Sequence, residues 1–195
     1  MRKAEFERQT KETNISAKVN IDGTGEYNIS TPDGFFTHML ELFSKHSKID
    51  LELKAKGDTL VDLHHTIEDI GIVLGQTVSQ ALEKRKGIER YGWSIVPMDE
   101  VRCDVCVDLG GRSNLVYKVD FPKGSYDKDK GFDYTLIKEF IKALSDNLKA
   151  TIHINIAYGQ NNHHIAEAIF KGLAKAVSQA VKITGDKIPS TKGTL

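Results

Sequence analysis

Cysteine is scarce in this sequence: two residues in 195. That is too few for a disulfide framework and fits a reducing compartment, so a cytoplasmic location is expected. Net charge is absent as well, 27 basic residues against 27 acidic, which argues against a nucleic-acid or membrane-surface partner. No hydrophobic run approaches the length that crosses a bilayer, and the opening MRKAEFERQTKET lacks the apolar core of a signal peptide. What remains is an ordinary globular composition, 39% hydrophobic and 28% charged, on a chain long enough for a sizeable core. The two cysteines, Cys103 and Cys106, lie in VRCDVCVDL, which alternates like a strand. Residues three apart on a strand face opposite ways, so a metal shared between them is not expected, and both are read as structural.

What is present is a repeat. His64–Leu82 reads HHTIEDIGIVLGQTVSQAL, and 99 residues later His163–Val181 reads HHIAEAIFKGLAKAVSQAV. The two align without a gap and agree at nine of nineteen positions, among them both histidines, the glutamate (Glu68 and Glu167) and the VSQA ending. A match of that length at one offset points to an internal duplication. Each half then opens a helix with the same HHxxE cassette.

Helix geometry gives the cassette its chemistry. The first His and the Glu are i, i+4 and the second His and the Glu are i, i+3, so either His can share a face with the carboxylate. Adjacent histidines project about 100° apart, so one ion does not easily take both. Two metals, each using one His from each cassette, satisfy this geometry. Imidazole with carboxylate suits Zn, Mn, Fe or Ni, and ligand type does not choose among them.

The remaining elements follow the duplication. ETNISAKVNID alternates as a strand, Asp22-Gly23 and Thr24-Gly25 supply a turn, and EYNIST returns, so Ala4–Ser30 is read as two strands. A helix is expected from about Phe35 to His46, then the strand IDLELKAKG, then the first cassette helix after Asp62 as cap. In the second half GWSIVPM and VRCDVCVDL read as strands, GGRSNLVYKVDF continues the sheet, and PKGSYDKDKG is a polar loop. A helix over about Tyr134 to Leu148, the strand ATIHINIAY and the second cassette helix complete it. The expected class is α+β: a two-layer sandwich from an internally duplicated ββαβα unit, helices packed on one face of each sheet. Residues 1–195 are read as a single domain of two pseudo-repeats, about 1–90 and 91–185, with an aperiodic tail.

Seven histidines occur in all. Adding His38, in FFTHML, and His153, in TIHIN, to the cassettes makes six His and two Glu, four ligands for each of two metals. Six-coordinate ions would keep positions open for substrate, as a catalytic site needs.

DGFFTHMLELFSKHS, DLHHTIEDIGIVLGQ, VPMDE followed by DLGGRS, NNHHIAEAIFKGLAKA and PSTKG together resemble the imidazoleglycerol-phosphate dehydratase family, in order from Arg8 to Gly193. The resemblance implies dehydration of imidazole glycerol phosphate to imidazole acetol phosphate in histidine biosynthesis. It also implies two Mn2+ per active site, sites between subunits and a large homo-oligomer built from trimers, with 24 subunits. It makes His38, His64, His65, Glu68, His153, His163, His164 and Glu167 the ligand set. It assigns the substrate phosphate to Arg90, Arg112, Lys171, Ser190 and Lys192, so the tail becomes substrate-binding. Glu12, in TKET, is placed near the substrate as a proton-transfer group, with His65, Glu68, His164 and Glu167 as the catalytic centre around it. Two positions depart from the family pattern: Thr37 stands where Asp or Asn is usual, and Leu42 where many members have Gln. No DxD phosphatase motif is present, so the single-function form is expected.

The chemistry needs an electron sink, because the carbon that loses its proton is not beside a carbonyl. A metal-bound imidazolate ring could expel the neighbouring hydroxyl, and loss of the adjacent C–H proton would then give an enol that tautomerises to the ketone. Two rivals share the ligand types: a dinuclear metallohydrolase, and a metal-binding assembly protein without turnover.

Overall fold

Alternation of buried and exposed residues builds two sheets. The computed structural model describes residues 1–57, 59–122 and 131–195. In it, β2 (Thr13–Asn20) buries Ile15, Ala17 and Val19 and turns Asn14 and Lys18 to the opposite face, the two-residue period of a half-covered strand. β2 pairs antiparallel with β1 (Lys3–Gln9) and with β4 (Asp50–Gly57), and β3 (Tyr27–Ser30) adds parallel to β4. The second half repeats the plan with β5 (Tyr91–Met98), β6 (Val101–Asp108), β7 (Asn114–Lys118) and β8 (Thr151–Tyr158). The strand orders, β1-β2-β4-β3 and β5-β6-β8-β7, are the same. In each half a helix carries the chain between the two parallel strands, as a parallel pair requires: α1 (Gly34–Ser47) in the first and α3 (Leu136–Leu148) in the second. The cassette helices are α2 (His64–Leu82) and α4 (Asn162–Ala180).

The α+β class, the duplication and the helix-covered sheets match expectation, with two differences of detail. Each half has three strands before its first helix, so β1 is an addition to the expected unit. Every residue of β1 is at least partly exposed; as an edge strand with only Ala4 and Phe6 against the core, it has too weak an apolar alternation to announce itself. The Asp22–Gly25 turn also does not fold β3 back beside β2, because β4 lies between them. The Asp50 carboxylate, at the start of β4, accepts the N–H groups of Thr24, Gly25 and Glu26 at 2.8, 3.0 and 3.0 Å. Those bonds hold the turn across the end of the sheet. The expected polar loop PKGSYDKDKG spans residues 122–131, of which 123–130 lie outside the described residues.

The two units meet helix to helix, α1 against α4 and α2 against α3, with the sheets outside. Gly71 and Gly75 let α2 approach α3 closely: a Cβ on Gly71 would lie 2.5 Å from the Phe140 carbonyl oxygen, and one on Gly75 would lie 2.9 Å from that of Leu144. Phe36 of α1, Phe140 of α3 and Phe170 of α4 form a ring cluster with centroids 5.2 to 6.0 Å apart, so one core joins the halves. Arg85, 6% exposed, follows α2 and donates to the carbonyls of Leu109, Leu148 and Lys149. It thereby satisfies the open end of α3 from the other half. No helix among the described residues is long and apolar enough to cross a membrane. As expected for a strand, Cys103 is buried and Cys106 exposed, and both are free.

Candidate active site

The start of α4 gathers the first group. Asn161 caps the helix, its side-chain oxygen accepting the N–H of His163 at 2.9 Å and of His164 at 3.4 Å. The two ring centroids stand 6.1 Å apart with their planes at 88°. His163 Nε2 lies 3.1 Å from Glu167 Oε1, one turn on, and His38 Nε2, from α1, lies 3.3 Å from the same oxygen. Lys171 Nζ donates to Glu167 Oε2 at 2.6 Å. Burial works to raise the pKa of Glu167, but the bond and charge of Lys171, then His163 and His38, outweigh it and hold the carboxyl below the usual range.

The second ring of α4 faces the β5–β6 turn. His164 Nδ1 is 2.8 Å from Glu100 Oε2, and its Nε2 is 3.5 Å from Asp99 Oδ2. The hydrogen bond from His164 pulls Glu100 down to about 2; burial opposes this, and the N–H groups of Asn161 and Gln160 add to it.

The start of α2 repeats the arrangement more loosely. Asp62 accepts the His64 N–H at 2.8 Å, one residue before the formal cap Leu63. The His64 and His65 rings stand 6.0 Å apart at 78°. His64 Nε2 is 4.0 Å from Glu68, and His65 Nδ1 is 3.3 Å from Glu12 Oε2. The turn carrying Glu12 is fastened to α2 below it: Thr13 Oγ1 donates to Asp69 Oδ2 at 2.5 Å and Arg8 Nε to Asp69 Oδ1 at 3.0 Å. Thr10 Oγ1 accepts the N–H of Glu12 and of Thr13.

The ligand candidates are thus split. His38, His163 and Glu167 meet at one place; His64, His65 and Glu68 cluster at the start of α2. His153 is exposed on the outer face of the second sheet, in register with Cys106 and Val116. Among the described residues no group of three or more His, Cys, Asp or Glu side chains is arranged to hold one ion. Their donor chemistry nonetheless fits a divalent metal, two imidazole nitrogens converging on one mostly buried carboxylate oxygen. At the two departures, the Thr37 hydroxyl pairs with Thr31 Oγ1 at 2.9 Å, and Leu42 packs against the core.

Four of the five phosphate candidates come together. Arg90, Arg112, Ser190 and Lys192 line one cleft of about 740 Å³. The tail is laid down there by main-chain bonds, Gly87 N–H to the Lys187 carbonyl at 2.8 Å, and by Arg90 Nη1 to the Pro189 carbonyl at 2.9 Å. Arg90 is in turn held by Asp108, whose hydrogen bonds raise the guanidinium pKa. Lys171 lies apart from this cleft, on Glu167 and the Met98 sulfur.

Reading the sequence missed Glu100, Asp99, Asp69 and Asp108. Two of them had a signal: Asp99-Glu100 sits inside VPMDE, and Glu100 directly precedes its strand as Glu12 does. Asp69 corresponds to Ala168 in the repeat, an asymmetry visible only once its partners Arg8 and Thr13 are known.

Comparison with known proteins identifies the family. The family model described as imidazoleglycerol-phosphate dehydratase matches residues 31–177. A protein of that name from Thermodesulfovibrio yellowstonii is 50% identical over 195 residues, covering 100% of both chains. One from Rhodopseudomonas palustris is 51% identical over 198 residues, covering 100% of this chain and 99% of its own. The crystal structure of the Staphylococcus aureus imidazoleglycerol-phosphate dehydratase superposes with a TM-score of 0.82 at 35% identity, over 93% of this chain and 99% of that one. With half of its residues identical to such relatives from end to end, the chain belongs to the imidazoleglycerol-phosphate dehydratase family.

Proposed function

We propose that this protein is a hydro-lyase that converts imidazole glycerol phosphate to imidazole acetol phosphate and water in histidine biosynthesis, with two Mn2+ per active site. What carries the reading is the cleft of Arg90, Arg112, Ser190 and Lys192, on a chain that aligns with dehydratases over its whole length. Guanidinium, ammonium and hydroxyl donors suit a phosphate monoester, Arg112 by its planar fork and Lys192 as a point charge. Ser190 offers a further donor beside them.

The histidine groups hold the reacting end. His38, His163 and Glu167 form one part of a ligand set, and His64, His65, Glu68, His164 and His153 supply the rest. A divalent metal held by these residues would supply Lewis-acid charge that favours the deprotonated, electron-donating form of the substrate imidazole. Glu12, beside His65 and more than half exposed, reaches outward to take the C–H proton or to return one to the departing hydroxyl. Loss of hydroxide beside the ring and of the proton from the next carbon gives an enol, which rearranges to the ketone.

Because His153 points away from both groups, four ligands per ion draw on more than one copy of the chain. This supports a large homo-oligomer built from trimers, with 24 subunits. In this reading the enzyme works in the cytoplasm with both cysteines as thiols. The test is to incubate manganese-reconstituted protein with imidazole glycerol phosphate and assay the ketone. Bound metal without ketone formation overturns the reading, and release of inorganic phosphate instead favours the metallohydrolase. Light scattering that gives the mass of one chain for the metal-loaded protein overturns the assembly.

A further inference from the structure

The same turn exists in both halves. Glu12 directly precedes β2 and Glu100 directly precedes β6, and β2 and β6 hold equivalent places in the two sheets. Each carboxylate lies against Nδ1 of the second histidine of its own cassette, Glu12 on His65 at 3.3 Å and Glu100 on His164 at 2.8 Å. Duplication therefore supplied two copies of one carboxylate–histidine contact.

The copies are fastened differently. Glu100 uses its other oxygen, Oε1, to accept the N–H of Gln160 at 3.2 Å and of Asn161 at 2.9 Å. Asn161 in turn caps the helix on which His164 sits. The carboxylate is thus tied at one end to the chain entering α4 and at the other to the ring on its first turn. In the first half it is the turn's backbone that is tied, through Thr10, Thr13 and Asp69. Among the described residues the Glu12 carboxylate has no hydrogen bond or ion pair beyond His65.

We infer that Glu100 is a positioning residue: it fixes the His164 imidazole as the Nδ1–H tautomer and leaves Nε2, with its lone pair, as the atom offered to a metal. An ionised carboxylate only accepts hydrogen bonds, and of the two carboxylates beside this ring Glu100 makes the hydrogen bond, at 2.8 Å, while Asp99 stands 3.5 Å from Nε2, so the proton sits on Nδ1. A partner of this kind sets the orientation and basicity of a ligating ring, and its loss costs roughly 10- to 100-fold in metal affinity. The two halves have divided one device: the anchored copy orients a ligand, and the unanchored copy, Glu12, remains able to move a proton. The metal part of this inference rests on the proposed function; the tautomer part does not.

The test uses the full-length protein, with Glu100→Ala, Glu100→Gln and Glu12→Gln as variants. In metal-free protein at about pH 8, 15N spectra of the imidazoles should show Nδ1–H for His164. That signature should be lost in Glu100→Ala and kept in Glu12→Gln. Manganese titration should show one of two ions bound about 10- to 100-fold more weakly in Glu100→Ala, with both affinities kept in Glu12→Gln. If Glu100→Ala does not fold, Glu100→Gln is read in its place, since it keeps the size of the side chain while its amide cannot accept at both ends as the carboxylate does. An unchanged His164 tautomer, or manganese affinities within twofold of wild type, overturns the assignment. Loss of the Nδ1–H signature in Glu100→Ala, together with a wild-type protein that binds no manganese, overturns the metal reading of the site and leaves the positioning of His164 standing.

Discussion

Arg90 and Asp108 form a two-bond ion pair, Nε to Oδ1 at 2.7 Å and Nη2 to Oδ2 at 3.1 Å. The pair leaves Arg90 Nη1 on the Pro189 carbonyl, so a carboxylate on β6 holds the residue that holds the tail. Asp108→Asn should therefore loosen Ser190 and Lys192 without removing either. The expected result is a KM for the phosphate substrate about 3- to 10-fold higher with kcat little changed. Steady-state kinetics measure it, and an unchanged KM would show that the tail needs no such support.

Lys192 faces the same cleft. Lys192→Ala should raise KM more than it lowers kcat if the phosphate contact is equal in ground and transition states. Deleting the last six residues should have a larger effect in the same direction. Truncated protein with wild-type kinetics would mean that the docked tail serves stability alone.

The cassettes should carry the metal. His65→Ala and His164→Ala are expected to lower bound manganese and abolish dehydration. His46→Ala should do neither: this half-buried ring has its pKa lowered by burial and by Lys175 and Lys171, and it is outside the ligand set. Metal analysis of the purified variants decides the matter, and equal metal in all of them would sink the two-ion assignment.

Close approach of α2 and α3 depends on Gly71. A Cβ there would sit 2.5 Å from the Phe140 carbonyl oxygen and 2.9 Å from the Ala143 Cβ. Gly71→Ala should cost about 1–3 kcal/mol of stability, as overpacking does. Denaturant unfolding of the metal-free protein reads this directly. A gain in stability, as expected for Gly→Ala on an open helix face, would contradict the packing.

Acid should weaken the first sheet through two carboxylates. Asp22 is held below its ordinary pKa chiefly by the hydrogen bond from Arg2, against burial. Asp50 is raised by burial but lowered further by the N–H groups of Thr24, Glu26 and Gly25 and the amide of Asn20. Both folded pKa values are depressed, so their stabilisation is full above the unfolded value of about 3.9 and fades as pH falls through the folded ones. Asp50→Asn should lower stability by about 1–2 kcal/mol at neutral pH. Its melting temperature should also fall less steeply between about pH 4 and pH 2. Thermal melts of metal-free protein across that range compare the slopes, and equal slopes would remove Asp50 from the account.

By itself the sequence determined the duplication, the helical cassettes and the α+β class. These are local or periodic properties: HHxxE repeats at one spacing, and apolar residues recur every two positions in β2 and β6. The separation of each histidine pair follows from adjacency alone, and the ring centroids stand 6.0 and 6.1 Å apart in the fold. Pairing between distant segments has no such signature. Only the tertiary structure decided that β4 lies between β2 and β3, that β1 forms an edge, and that His38 of α1 reaches Glu167 of α4. It alone laid the aperiodic tail against Arg90. The role of Asp69 was likewise illegible in the sequence, because a carboxylate on a helix acquires a function only from the groups brought to it. His153 reads as an alternating strand residue in either view. The second sheet's packing turns it outward, since Ile152 and Ile154 on either side take the core.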